Sequence, residues 1–569
     1  MKIKGIAASE GVSIAKAFVM LEEDLKISNK KIKDTKKEIK SFEDSKKIAK
    51  KQIQKLYDTT LKKIGKEKAD IFGAHLQILD DPAIKSDVEK LINEEKFNAA
   101  YSLSKVADTY VKMFESMNDD YMKERASDIR DVTNRLLKII QGIEILDLST
   151  INHEVIIFAH DLTPSQTAQM NPKFVKGFIT EIGGRTSHSA IMARTLEIPA
   201  VVGCGNKLKV KNNEEIIISG TEGIAIIKPS KNEIQEYKLK LEQELKMRKE
   251  LDKFIDKETV TADGKSFEIA GNIGNSKDVD QVIANGGEAI GLFRSEFLYM
   301  DNSNWPTEEE QFEAYSAVAK DMKGKKVIIR TLDIGGDKKL DYFSFPKEEN
   351  PFLGYRAVRF TMDKKEVFKV QIRALLRAAH FGKIYVNIPM IATIKEFLDV
   401  KKFVDKQRKD LEKEGIKYGE IKLGIMVEIP SVAILADKFA KHVDFFSVGT
   451  NDLIQYTFAA DRMSEKVSYL YQPYNPSILR MLKNVIDASH AEGKFTAMCG
   501  EMASEPNALP LLIGMGLDEF SMSSSSILKS RYLISKINSN EASKLVEKAL
   551  DQESSEQVIK LTEKFMSKI

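Results

Sequence analysis

Cysteine is nearly absent: Cys204 and Cys499 are the only two in 569 residues. Two thiols do not make a disulfide framework, and neither sits in metal-type Cys/His spacing. Reduced thiols are expected, as in a cytosolic protein. Long apolar runs are missing as well. No stretch reaches the roughly 18 residues of a membrane span. The opening MKIKGIAASEGVSIAKAFVM lacks the apolar core of about 7–15 residues that a signal peptide needs. A cytoplasmic location without membrane insertion is the expectation. Net charge is also scarce. Lys and Arg number 88 against 85 Asp and Glu, a formal +3, which gives no electrostatic reason to expect nucleic acid as a partner. Histidine occurs seven times. No GxxxxGK[ST] nucleotide-binding string occurs.

What is present divides into zones. The length allows about three or four domains at ~150 residues each. Residues 1–24 read as one or two strands. Residues 25–145 are rich in Lys, Glu, Leu and Ile, with Pro82 the lone proline. Ile53, Leu56, Tyr57, Leu61 and Ile64 recur at helical spacing, which predicts a helical bundle. Its charged stretches read as solvated faces, one of them available to dock a partner. Residues 146–230 alternate short apolar runs (EVIIFAH, GFIT, AVVG, EIIISG, IAIIKP) with turn residues and predict an α/β domain. Residues 1–24 join it, so that the bundle is an insertion. A Lys/Glu-rich linker helix occupies 231–258. Residues 259–569 carry eight β-like runs: FEIAGNI, AIGLFR, KVIIRTL, IYVNIPMI, KLGIMVEI, FFSVGTN, FTAMCGE and DEFSMS. Helical stretches separate them. That alternation predicts a (β/α)8 TIM barrel within an α/β multidomain chain.

In such a barrel the chemistry sits where strands end. The polar residues there are Asn272, Arg294 with Glu296, Arg330 with Asp333, Glu428, Asn451 with Asp452, and Cys499 with Glu501, while Arg356 and Arg462 follow in loops. Guanidinium forks match phosphate and carboxylate oxygens. Glu428 and Asp452 suit a hard divalent ion such as Mg²⁺. The mouth therefore suits a phosphorylated carboxylic acid with Mg²⁺; ordinary rim salt bridges are the bland alternative. Cys499 ends a strand within reach of such a ligand and can act as an acid or base. Cys204, in VVGCGN, reads as structural.

A second signal is GGRTSHSAIMAR, residues 183–194. His188 begins a helix-like run after a glycine pair, where free N–H groups and the helix dipole favour an anion. Thr186, Ser187 and Ser189 add hydroxyls. The other six histidines lack this context and read as structural.

GGRTSHSAIMAR and the LEIPAVVG after it, with GLFRSEFLYM, RTLDIGGDK, NPFLGYRAVR, GIMVEIPS, FFSVGTNDLIQYTFAADR and CGEMA, resemble enzyme I of the bacterial phosphoenolpyruvate-dependent sugar phosphotransferase system. The resemblance runs from Lys4 to about Asp518. It implies an N-terminal α/β phosphohistidine swivel domain with an inserted helical domain that docks the carrier protein HPr, and a barrel that binds phosphoenolpyruvate and forms a homodimer. By the same resemblance, His188 is the phosphorylated nucleophile, Thr167 orients its ring, and Cys499 is the proton donor that yields pyruvate. Arg294, Arg330, Arg356, Asn451, Asp452 and Arg462 contact phosphoenolpyruvate, and Glu428 with Asp452 binds Mg²⁺. His188 and the arginines fall in different domains, so the histidine must swivel. Glu181 and the Ser523–Ser526 run depart from the family pattern without touching these roles. The competing readings are a phosphoenolpyruvate synthase or pyruvate phosphate dikinase-like enzyme, which would need a nucleotide-binding domain, and a non-catalytic phosphoenolpyruvate-sensing regulator, which would show a degraded site.

Overall fold

Glycines cut the chain up to Val19 into three strands, where one or two were expected: β1 (Lys2–Lys4), β2 (Ile6–Ser9) and β3 (Val12–Val19). Gly11 has φ +110°, a region that side-chain-bearing residues rarely take. A Cβ on Gly5 would stand 2.6 Å from Cys204 Sγ. The computed structural model describes residues 1–569 apart from 21–26, 64–65, 117–119, 144, 146–147, 168, 185–186, 197, 206–209, 301, 337, 339 and 341. For 62, 63, 66–68, 116, 120–124, 164, 165, 188, 191, 195 and 465 it describes the backbone alone. The chain divides into two compact units, Met1–Met247 and Arg248–Ile569.

In the first unit, β4 (Val155–Ala159), β5 (Val175–Thr180), β6 (Ala200–Val202), β7 (Glu215–Ser219) and β8 (Ile224–Ile227) join the first three strands. The order is β1-β8-β7-β3-β4-β5-β6-β2, with β3 to β6 parallel and the rest antiparallel. Side chains alternate between the faces. Val155, Ile157 and Phe178 pack on one side; Ile156, Phe158, Ile179 and Ile216 pack on the other. Both sets are buried, so this sheet is a middle layer.

Between β3 and β4 five helices are inserted: α1 (Thr35–Lys63), α2 (Lys66–Leu79), α3 (Pro82–Asn93), α4 (Ala99–Ser116) and α5 (Asp120–Ile140). The lone proline of the bundle, Pro82, opens α3, where its missing N–H costs nothing, and Asp81 caps that helix by accepting from Ala83 N at 2.7 Å. Phe42, Ile53, Phe72, Val88, Leu103 and Leu136 form the bundle core. Of the predicted apolar stripe, Ile53 is fully buried and Leu56 and Tyr57 partly so, whereas Leu61, near the end of α1, stays exposed. Ile64 lies outside the described residues.

Two short helices, α6 (Pro164–Thr167) and α7 (His188–Thr195), lie against each other. Helix α8 (Lys231–Asp252) follows β8. Its N-terminal part, as far as Glu244, is fastened to the sheet. Tyr237 is buried with its hydroxyl donating to Glu222 at 3.0 Å, and Glu244 accepts from Val12 N at 3.2 Å.

The second unit is a closed barrel of eight parallel strands: β9 (Glu268–Ile273), β10 (Ala289–Arg294), β11 (Lys326–Arg330), β12 (Lys383–Ile388), β13 (Ile421–Val427), β14 (Phe445–Val448), β15 (Phe495–Met498) and β16 (Glu519–Met522). Each of the eight expected runs supplies one strand. Ile269, Val327, Ile329, Val386 and Ile425 pack beneath the outer helices. Residues of opposite parity fill the interior: Ile328, Tyr385, Phe445, Phe495 and Ala497. At the strands' N-terminal ends Lys326 is held between Glu268 and Glu519, 2.6 Å from each. Among the described residues no helix is long and apolar enough to cross a membrane.

Candidate active site

Strand register sets the spacing of the mouth. The pairing of β10 with β11 puts Arg294 opposite Arg330, and β11 with β12 puts Arg330 opposite Asn387. Arg330 is buried and meets two acids. Its guanidinium donates to Glu296 Oε1 at 2.5 Å and stands 3.2 Å from Asp333 Oδ2. Arg356 donates to both oxygens of Asp333 at 3.0 and 3.1 Å and to Tyr456 Oη at 3.3 Å. Lys338 reaches the same acids, 3.0 Å from Glu296 Oε1 and 3.1 Å from Asp333 Oδ2. Burial works against ionisation of Glu296 and Asp333. The surrounding cations outweigh it and hold Glu296 below, and Asp333 far below, the usual carboxylate range.

The turn that delivers this cluster depends on glycine. Gly335 has φ +114°, and a Cβ there would stand 2.5 Å from Arg356 Cβ. Arg294 differs from its neighbour. It is exposed, its guanidinium lies 5.1 Å from the Phe297 ring centroid, and it has no acid partner among the described residues.

Across the mouth stand two further carboxylates. Glu428 follows β13, is fully buried, and accepts from Met390 N at 2.6 Å through Oε1. Met390 adopts φ +59° just after β12, an uncommon conformation for a residue with a side chain, and that turn aims its N–H at the acid. Burial, then the charges of Asp452 and Asp333, push Glu428 up to about 8. Asp452 lies in the helix Thr450–Phe458 that follows β14, with Arg356 Nη2 at 3.8 Å and Arg462 Nη1 at 3.9 Å. Glu428 Oε2 and Asp452 Oδ1 are buried without a hydrogen-bond partner among the described residues. Asn451 accepts from Tyr471 Oη at 2.8 Å.

Cys499 follows β15. Its N–H bonds Val448 O at 3.1 Å, and Asn272 Nδ2 bonds its carbonyl at 3.2 Å. Ser447 Oγ lies 3.6 Å from its sulfur, and burial pushes the thiol up to about 11. The approach of β14 to β15 requires Gly500, where a Cβ would fall 1.8 Å from Thr450 Oγ1.

In the first unit, His188 is the first residue of α7, after the N-cap Ser187, whose hydroxyl accepts from Ala190 N at 3.4 Å. Its side chain, and all of Arg185 and Thr186, lie outside the described residues. Thr167 ends α6, is buried, and donates to Thr163 O at 3.2 Å. Cys204 is buried in an apolar cluster, which pushes its thiol up to about 11.

The barrel mouth thus gathers Arg294, Arg330, Arg356, Glu428, Asn451, Asp452, Arg462 and Cys499, while Thr167 and His188 belong to the other unit. Glu501 is exposed. The sequence reading assigned nothing to Lys338, Ser447, Tyr456 or the buried Asn387. Lys338 ends RTLDIGGDK, and two glycines before a lysine at a strand end are a signal for a charged turn. Among the described residues, Arg330, Lys338, Arg356 and Arg462 pair with Glu296, Asp333 and Asp452. Rim salt bridges therefore account for Arg330 and Arg356 in the free protein, while Arg294 remains available to a ligand.

Three sequence families match in order along the chain. Residues 4–125 match "PEP-utilising enzyme, N-terminal", 151–223 match "PEP-utilising enzyme, mobile domain", and 248–539 match "PEP-utilising enzyme, PEP-binding domain". Fold and mouth are those of an enzyme that uses phosphoenolpyruvate. A phosphoenolpyruvate-protein phosphotransferase from Staphylococcus carnosus is 54% identical over 566 residues, covering 99% of each chain. Those from Mycoplasma capricolum and Listeria monocytogenes are 53% and 52% identical, covering 100% and 99% of this chain and 99% of their own. The chain belongs to the phosphoenolpyruvate-protein phosphotransferase family, transferases that carry out phosphoenolpyruvate-dependent phosphotransfer.

Proposed function

We propose that this enzyme moves the phosphoryl group of phosphoenolpyruvate onto His188 and then onto a histidine of the carrier protein HPr. This is the first step of sugar uptake by a cytoplasmic phosphotransferase system. The observation that carries the reading is the pair Glu428 Oε2 and Asp452 Oδ1. Among the described residues both are buried without a hydrogen-bond partner, Asp452 Oδ1 having only the distant charge of Arg462 at 3.9 Å, in a mouth that also holds Arg294 and Arg356. The charge of Asp452 makes the ionised form of buried Glu428 costly, and a hard divalent cation relieves that cost. Mg²⁺ uses one or two protein carboxylates and leaves room for substrate oxygens. Glu428 and Asp452 therefore fit it, and the metal supplies positive charge to the bound phosphate.

The protein's own residues do the rest. Arg294, Arg330, Arg356 and Arg462, with Asn451, hold the carboxylate and phosphate. This is positioning and charge neutralisation, the main source of catalysis in phosphoryl transfer. Neutral His188 attacks phosphorus through one ring nitrogen, with Thr167 orienting the ring, and the bond to the enol oxygen breaks. Cys499 gives its proton to the methylene carbon, which yields pyruvate. Phosphorylated His188 at the N-terminus of α7 then keeps its negative charge beside free N–H groups. The reading requires His188 to reach the mouth for loading and to leave it for delivery, with α8 as the connecting element and the inserted bundle α1–α5 docking HPr. The barrel unit is assigned the homodimer contact.

The test is incubation with phosphoenolpyruvate, Mg²⁺ and purified HPr. Acid-labile, base-stable phosphate on both proteins is expected, and none on a His188→Ala variant. Label that persists in that variant refutes the assignment.

A further inference from the structure

Cys499 is not the last polar group on its side of the barrel. Ser447 lies in FFSVGTN, a strand otherwise apolar up to its end. The register pairs Ser447 with Ala497 and Val448 with Met498. Ser447, Ala497 and Cys499 therefore share a parity, that of the barrel interior. Ser447 is completely buried. Its hydroxyl has one hydrogen-bond partner among the described residues, Cys499 Sγ at 3.6 Å. The sulfur in turn stands 3.7 Å from Val448 O, which can accept the thiol proton.

A buried hydroxyl directed at a sulfur atom is a weak arrangement for a neutral thiol, because sulfur accepts poorly. It becomes a charge-assisted hydrogen bond when the sulfur is a thiolate, and such bonds are about twice as strong. Other groups act on the same sulfur. The Arg330 charge from β11 favours the thiolate, whereas Glu428 after β13 and Glu519 on β16 oppose it. Asn272 on β9 donates to the Cys499 carbonyl and accepts from Ser521, with no hydrogen bond to the sulfur among the described residues. Ser447 is the one neutral donor to the sulfur among these groups. It can stabilise the negative sulfur without competing for an anionic substrate, as a second cation would.

We propose that Ser447 is a positioning residue for the proton-transfer step: its hydroxyl fixes the Cys499 sulfur and stabilises the thiolate formed when the proton leaves. The proposal rests on Cys499 as proton donor. In that step the S–H bond breaks. The π pair of enolpyruvate takes the proton at the methylene carbon, the enol oxygen becomes the ketone of pyruvate, and the sulfur keeps the S–H electron pair. Water regains access as pyruvate leaves and returns a proton to the thiolate.

The test uses the full chain with phosphoenolpyruvate and Mg²⁺, and compares Ser447→Ala with Ser447→Thr. Pyruvate release and KM are measured. The pH dependence of iodoacetamide alkylation is followed on the Cys499 peptide by mass spectrometry. In Ser447→Ala the alkylation titration is expected to move up by about one pH unit, a factor of ten in thiolate. Pyruvate release should slow about tenfold, with KM changed less than about twofold, since binding does not use the thiolate. Ser447→Thr, which keeps the hydroxyl, should restore most of both. An unshifted titration in Ser447→Ala overturns the proposal, as does a threonine variant that behaves like alanine while melting like wild type. Should the alanine variant fail to fold, Ser447→Cys keeps the shape with a poor donor; a shift in the same direction supports the proposal and no shift overturns it. Cys499→Ala separates the two readings. Undiminished pyruvate release there removes the donor role itself, whereas its loss beside an unaffected Ser447→Ala removes only the role of Ser447.

Discussion

Arg294 and Arg330 stand opposite each other at the C-terminal ends of β10 and β11, yet among the described residues only Arg330 has acid partners, Glu296 and Asp333. The two arginines therefore answer differently to the same truncation. Arg294→Ala strips an exposed side chain that has no acid partner among the described residues. It should raise the KM for phosphoenolpyruvate and leave thermal unfolding unchanged. Arg330→Ala leaves two buried acids undercompensated, which costs roughly 3–5 kcal/mol. Steady-state pyruvate release and calorimetry on both variants check this.

Asp333 joins Arg330, Lys338 and Arg356, which hold its carboxyl far below the usual range. A carboxyl lowered by folding adds stability above its unfolded value of about 3.9 and loses it as the pH falls toward the folded value. Wild type should lose stability steeply below about pH 4.5. Asp333→Asn should be less stable at pH 7, by roughly 3–5 kcal/mol. The gap between the two should close as the pH falls. Urea unfolding from pH 7 to pH 3 measures it, and a gap independent of pH contradicts the expectation.

Glu428 is buried beside like charge, so its ionised form is costly without a cation. Glu428→Gln should be at least as stable as wild type in the absence of metal. It should also lose Mg²⁺ binding by titration calorimetry and turnover with it. A variant that binds Mg²⁺ as wild type does would remove Glu428 from the metal site.

Gly500 has no room for a methyl group, because a Cβ there would lie 1.8 Å from Thr450 Oγ1. Thr450 is fully buried and cannot swing out to solvent. Gly500→Ala should destabilise the barrel by about 1–3 kcal/mol. It should also displace Cys499, slowing pyruvate release more than it changes the KM.

Much of this was legible in the sequence because a strand's period is two and a barrel places its chemistry at strand ends. Arg294, Arg330, Glu428 and Cys499 each close an apolar run, and that position marks them before any packing is known. The split of the first strand zone was not legible, because it turns on Gly5 having Cys204 against its Cα, two residues far apart in the chain. Ser447 was hidden for a different reason. In an apolar strand a serine reads as tolerated, and only the neighbouring strand makes its hydroxyl a partner.

The amino-acid order alone determined which residues stand at the mouth and that the chain falls into a sheet with a helical insertion followed by eight strand–helix repeats, because propensity and periodicity are local. Tertiary structure alone decided who is paired with whom. Barrel closure sets the register between strands, and register puts Arg330 between Glu296 and Asp333, brings Lys338 back onto both, and leaves Glu428 and Asp452 each with an oxygen that has no hydrogen bond among the described residues. Charge pairing falls off with distance through space and not along the chain. Asn272 and Cys499, 227 positions apart, therefore touch only once the sheet has closed on itself.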